Sequence, residues 1–129
     1  DRLGLFYYLK GCNAIGDYHP SHVNSGMQHH VVVEKVPAYT ITQFLQKYDI
    51  RRIQLLKIDA EGYDLQILQE LHNHIVNKRL PIVHVDRIVF ETNVPEEVEF
   101  LKELMTKYGE LGYTMVLGGE NTIMEKLTL

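Results

Sequence analysis

The sequence has little of what several functions require. Cys12 is its only cysteine among 129 residues. No disulfide can therefore form within the chain, and a reducing compartment such as the cytoplasm is favoured. No apolar run approaches the roughly 18–20 residues that a membrane-spanning helix needs. The sequence thus predicts a chain that neither crosses a membrane nor depends on disulfides.

Positive charge is also sparse. The formal net charge is −4. Two basic residues are neighbours only at Arg51-Arg52 and Lys78-Arg79, and all other basic residues are single. Nucleic acid and anionic membrane surfaces are therefore not expected as partners. The composition, 45% hydrophobic and 23% charged, is that of a globular protein. The length fits one domain with one core, so residues 1–129 are predicted to form a single domain.

Hydrophobic periodicity predicts strands that alternate with helices. We predict strands over 3–9, 31–36, 53–58 and 85–92, helices over 41–48, 65–76 and 95–109 (or to 112), and a hairpin over 113–125. A loop over 11–26 follows the first strand. The clearest helix start is Thr40 with Gln43, which fits a capping box.

The alternating middle of the chain implies right-handed strand–helix–strand crossovers and a mostly parallel sheet of the α/β class. The final hairpin would add antiparallel strands to that sheet. The strand over 53–58 is mostly apolar, so we expect it to be central and buried on both faces.

The stretch Lys57-Ile58-Asp59-Ala60-Glu61-Gly62-Tyr63-Asp64 resembles the signature of the FkbM family of methyltransferases, Lys-Ile-Asp-x-Glu-Gly-x-Glu. Asp64 stands where the commoner residue is Glu. Three shorter similarities accompany the signature: Thr40-Ile41-Thr42 for the family's Thr-Leu-Asp-like helix start, Phe90-Glu91 for its downstream strand end, and Gly112-Tyr113. The resemblance extends from about residue 3 to residue 117.

This resemblance implies a partial Rossmann-like class I methyltransferase fold and the cofactor S-adenosylmethionine. The implied reaction is O-methylation of a small molecule or glycan. In such enzymes the first two strands carry most of the cofactor site, including a Gly-rich turn. Here the only Gly-Gly pair is Gly118-Gly119, near the far end. The resemblance therefore implies the C-terminal half to two-thirds of a domain, inactive alone.

Candidate site residues lie where the strand over 53–58 meets the next helix. Ligands of α/β sheets bind at the carboxyl ends of strands, so Asp59 is expected to face the cofactor or the substrate. The alternative is that Asp59 caps the following helix. Glu61 is either a site residue or a support of the turn, for which Gly62 would supply a positive φ. Glu91 ends the next strand, and Lys57 is predicted to form an ion pair.

A metal site is a weaker interpretation of the same carboxylates. Asp59, Glu91 and Asn93 offer oxygen ligands that suit Mg²⁺, but nothing in the sequence requires a metal, and none is predicted. A metal-dependent hydrolase or nuclease using Asp59, Glu61 and Lys57 is a third possibility. Its weakness is that these residues share one short segment.

The seven histidines show no zinc-binding spacing and have no cysteine partners nearby. His72 falls on an apolar helix face and is predicted to be a boundary residue with satisfied hydrogen bonds. His19, His22 or His30 could serve as a base, since the long loop would overhang the strand ends. Cys12 has no activating neighbour and is not predicted to be a nucleophile.

A function of a different class is a non-catalytic α/β module for binding or assembly. The missing Gly-rich strand favours it for these residues taken alone. Without that strand, the strand over 53–58 would present an apolar edge, which is a site of association. We therefore expect self-association.

Overall fold

The described residues of the computed structural model are 23–26, 29, 31–60, 62–91, 95–118 and 120–126. The chain divides into two compact units, Asp1–Pro37 and Ala38–Leu129. The predicted strand over 3–9 and most of the predicted loop over 11–26 lie outside the described residues.

The predicted strand over 31–36 is wrong. This segment has no regular secondary structure, and Val32 and Val33 are 86% and 87% exposed. β-branched residues favour a strand only where they pack against cross-strand neighbours. No strand of the described sheet pairs with this segment. The strand preference of its valines is therefore not sufficient to form a strand.

The second unit contains a sheet and its connecting helices. Its elements are α1 (Ile41–Lys47), β1 (Arg52–Lys57), α2 (Asp64–Val76), β2 (His84–Glu91), a 3₁₀ turn (Pro95–Glu97), α3 (Val98–Glu110), β3 (Tyr113–Gly118) and β4 (Asn121–Lys126). The predicted helices and strands of this part are confirmed to within a few residues. None of the described helices combines the length and apolar character needed to cross a membrane.

The capping box at α1 is confirmed. The Gln43 backbone N–H donates to the Thr40 hydroxyl at 3.1 Å, and the Thr40 backbone N–H donates to Gln43 Oε1 at 2.9 Å. Both bonds satisfy backbone donors that the first turn of a helix leaves unpaired. The start of α1 is therefore set by local sequence.

The four strands form one sheet in the order β1-β2-β4-β3. β1 and β2 are parallel, whereas β4 is antiparallel to both β2 and β3, which confirms the final hairpin. β1 pairs only with β2 among the described strands, as the predicted apolar edge requires. The prediction that this strand is buried on both faces is wrong. Leu55, at its middle, is 56% exposed.

One face of the sheet and the three helices share the buried core. Its members include Leu45 of α1, Leu65, Leu68 and Leu71 of α2, Leu104 and Tyr108 of α3, and Ile88, Phe90 and Met124 of the sheet. Ile88 and Met124 are paired across β2 and β4, so they lie on the same face. The core thus forms where the helices cover the middle of the sheet.

Two buried tyrosines donate to backbone carbonyls, one between two helices and the other between two strands. The Tyr108 hydroxyl donates to the Leu68 carbonyl at 2.7 Å, and the Tyr113 hydroxyl donates to the Val85 carbonyl. Burial raises the pKa of Tyr108 above its ordinary value, and burial with nearby Asp86 raises that of Tyr113 to about 12. Both hydroxyls therefore remain protonated donors.

His74 is buried and joins three segments. Its Nε2 lies 2.8 Å from the Pro81 carbonyl oxygen, and its Nδ1 lies 3.1 Å from the Thr42 hydroxyl. Because a carbonyl can only accept, we assign the proton to Nε2, and Nδ1 then accepts from Thr42. His74 therefore holds α1, α2 and the segment before β2 together, which is a structural role.

His72 differs from the prediction of a satisfied boundary residue. Its ring contacts Tyr108 edge-on at a centroid distance of 5.7 Å, but its buried Nδ1 has no hydrogen-bond partner among the described groups. Burial lowers the pKa of His72, and nearby Lys107 lowers it further. The neutral imidazole is therefore the form that fits between α2 and α3.

This burial predicts a pH dependence of stability. Because the pKa of His72 is lower in the folded chain than in the unfolded one, the unfolded state binds its proton first as the pH falls below about 6.5. Folding should weaken progressively from there. His72→Gln should lose less stability than the wild type between pH 7.5 and pH 5.5 in urea unfolding. Equal losses in both proteins would contradict this assignment.

Candidate functional site

The carboxyl ends of β1 and β2 lie side by side. Lys57 pairs with Val89 in the parallel register, and the Ile58 N–H donates to the Val89 carbonyl at 2.8 Å, which extends the pairing by one residue. Continued in the same register, Asp59 follows β1 at the level of Glu91, the last residue of β2. This is the edge at which α/β sheets bind ligands.

The Asp59 side chain is exposed, and none of the described groups forms a hydrogen bond or ion pair with its carboxylate. Asp59 therefore does not cap α2 through any bond to the described residues. Because it is exposed, its charge also carries no large burial cost. Lys57 is likewise exposed and pairs with no described carboxylate, so its predicted ion pair is not found there.

A tight turn connects β1 to α2. The Tyr63 N–H donates to the Ala60 carbonyl at 3.2 Å, and Gly62, the third residue of that turn, has a φ of +97°. A positive φ at this position is typical of a type II turn and favours glycine. The predicted role of Gly62 is confirmed. Glu61, which precedes Gly62 in the sequence, lies outside the described residues, so its predicted role stays a prediction.

The buried side chain of Asp64 stabilises this turn. It is 5% exposed, its Oδ1 accepts from the Ala60 N–H at 2.8 Å, and its Oδ2 accepts from the Glu91 N–H at 3.1 Å. No role at the site is predicted for Asp64 from the sequence. The available signal was a carboxylate in the first turn of a helix that directly follows a strand.

The described residues contain no group of three or more His, Cys, Asp or Glu side chains that could hold a metal ion. Asn93, which completed the possible Mg²⁺ set, lies outside the described residues. So do the loop histidines His19, His22 and His30, as well as Cys12. Their predicted roles are therefore not tested.

A surface cleft of about 530 Å³ lies at the opposite edge of the sheet, where β1 and β2 begin. Its lining residues are Gln46, Asp49, Arg51, Leu80, Pro81 and Ile82. The Asp49 carboxylate and the Arg51 guanidinium form two hydrogen bonds with each other, at 3.1 and 3.2 Å. The charged groups of this cleft therefore already satisfy each other.

The family model of the methyltransferase FkbM domain matches residues 11–115, which is most of the chain. The chain belongs to the FkbM methyltransferase domain family. No curated protein and no solved structure matches it. The Lys57–Asp64 signature of this FkbM chain therefore forms a strand end, a turn and a helix start, with Asp59 on the open side and Asp64 on the buried side.

The positive φ of Gly62 predicts the effect of a side chain there. Gly62→Ala meets no atom within 4 Å, so its cost is backbone strain of about 1–2 kcal/mol in the free energy of unfolding. Gly109→Ala is the matched control, because Gly109 lies in α3 with equally open surroundings. That change should be neutral or stabilising, by up to about 1 kcal/mol. Equal effects in urea unfolding would contradict a special role for Gly62.

Proposed function

We propose that this chain takes part in methyl transfer from S-adenosylmethionine to a hydroxyl group of a small molecule or glycan. The observation that supports the proposal is the exposed Asp59 carboxylate, which has no partner among the described residues. It lies at the carboxyl ends of β1 and β2 in a chain of the FkbM domain family. Polar groups left open at such an edge suit a ligand better than a structural bond.

When bound, S-adenosylmethionine supplies an electrophilic methyl group on a positively charged sulfur. Asp59 is suited to two tasks beside it. Its carboxylate attracts the positive charge, and it can accept the proton that the acceptor hydroxyl loses. Glu91 ends the neighbouring strand and is the second candidate for proton transfer, followed by Glu61. Most of the rate enhancement would come from alignment of donor and acceptor.

The remainder of the donor is not expected to be held by these residues. No Gly-rich turn follows β1 or β2, and the only Gly-Gly pair of the sequence, Gly118-Gly119, begins at the last residue of β3. The Asp59 edge therefore suits the charged end of the donor but offers no cradle for its ribose. We propose that the chain alone binds the donor weakly and does not turn over.

A binding experiment tests this proposal. Amide chemical shifts of the chain, titrated with millimolar S-adenosylmethionine, should change at Asp59, Gly62 and Glu91. Asp59→Asn should weaken binding of this cationic ligand about two- to fivefold relative to neutral S-adenosylhomocysteine, which is the range for one exposed charge pair. Asp49→Asn, an exposed aspartate at the opposite edge, is the matched control and should change neither ligand's affinity.

Two results would contradict the proposal. Shift changes confined to the cleft around Gln46 and Ile82 would place the ligand at the wrong edge. Micromolar affinity of the chain alone would show that the donor cradle is present in it.

A second candidate function is a non-catalytic assembly module. It is favoured by the edge position of β1, whose outer side has no partner among the described strands, and by the exposure of Leu55. Unpaired strand edges with apolar side chains associate with other strands. In this interpretation a second strand would cover β1.

This candidate predicts that the chain self-associates through β1. Leu55→Lys should raise the dissociation constant of the oligomer at least severalfold in light scattering, because a charge then lies in the contact. Leu80→Lys is the matched control, since Leu80 is 73% exposed and lies in the cleft near the amino ends of β1 and β2, away from the outer side of β1. A monomeric wild type at high concentration would exclude self-association.

A further inference from the structure

Asp64 is the one buried carboxylate among the described residues, and both of its oxygens are used. Neither accepts from a cation in the described part of the chain. The charge is held by two backbone N–H groups and by the positive end of the α2 dipole. A carboxylate buried in this way is costly unless those donors stay in place.

The two donors belong to different segments. Ala60 follows Asp59 directly, and Glu91 is itself a candidate site residue. The bond to Ala60 joins residues four apart in sequence, whereas the bond to Glu91 joins residues 27 apart. A carboxylate that only stabilised the start of α2 would need no bond to the end of β2.

We propose that Asp64 is a positioning residue that fixes Asp59 relative to Glu91. The Ala60 bond sets the backbone immediately after Asp59, and the Glu91 bond sets the backbone of the neighbouring strand end. One rigid carboxylate thus determines the separation of the two groups that would contact ligand. The expected effect of Asp64 on ligand binding rests on the proposed function. The two hydrogen bonds themselves do not depend on any ligand.

The alternative is a general contribution to stability, with no special effect on the edge. A matched variant separates the two. Asp86 forms an ion pair with Arg52 at 3.0 Å and so also joins β2 to β1, but at the amino end of the strands. Asp86→Asn therefore removes a cross-strand ion pair without touching the carboxyl edge.

The first measurement is amide hydrogen exchange in Asp64→Asn, Asp64→Glu and Asp86→Asn. Asparagine keeps the shape of Asp64 but only one acceptor oxygen. We expect exchange of the Ala60 or Glu91 amide to accelerate at least tenfold beyond any global change in Asp64→Asn. Asp64→Glu keeps two acceptor oxygens and should restore most of the protection. Asp86→Asn should leave both amides unchanged after correction for global stability.

The second measurement is the S-adenosylmethionine titration described above. Asp64→Asn should weaken binding, whereas Asp86→Asn should not. Uniform acceleration of exchange across the sheet in Asp64→Asn would overturn the proposal. So would selective loosening of the two amides with unchanged ligand affinity, provided that Asp59→Asn does weaken binding. If Asp59→Asn also has no effect, the proposed function fails, and exchange alone decides the role of Asp64.

Discussion

The carboxyl edge of the sheet depends on the pair of hydrogen bonds that Asp64 accepts from Ala60 and Glu91. The turn after β1, the start of α2 and the end of β2 meet at this one side chain. Its burial makes the arrangement stiff, because a desolvated carboxylate loses far more than an exposed one when a donor is removed. Asp59 can therefore stay exposed and unpaired among described groups while its backbone position is fixed.

Charges are arranged differently at the two edges of the sheet. At the amino edge, Asp49 binds Arg51 and Asp86 binds Arg52. At the carboxyl edge, neither Asp59 nor Lys57 pairs with any described residue. Exposed ion pairs add little stability, so this contrast has little effect on the free energy of unfolding. The named charges at the amino ends of the strands pair with each other, whereas the Asp59 carboxylate has no partner among the described residues.

Features encoded by neighbouring residues were predicted from the sequence. The Thr40–Gln43 capping box and the positive φ of Gly62 are both local requirements of the backbone. Features that depend on distant partners were not. The valines of residues 31–36 have high strand preference, but no described strand pairs with them. β1 is apolar enough for a central strand, yet among the described strands only β2 lies beside it.

The same distinction explains what was predicted of the site. The signature from Lys57 to Asp64 identified the family, and it also predicted the strand end, turn and helix start, because these are adjacent in sequence. That this edge binds the ligand stays a prediction. The role of Asp64 was missed because its second bond reaches Glu91 across 27 residues, and no spacing rule encodes that contact. The sequence predicted that Asp59 faces the cofactor or the substrate, with capping of the next helix as the alternative. In the structure the buried carboxylate that holds the turn is that of Asp64.

The central claim is that the edge bearing Asp59 faces the methyl donor. A crystal structure of the chain soaked in concentrated S-adenosylmethionine tests it most directly. The account predicts that the ligand's sulfur lies in contact with Asp59, beside the strand ends of β1 and β2. Ligand density only in the cleft lined by Gln46 and Arg51, at the amino edge of the sheet, would contradict it.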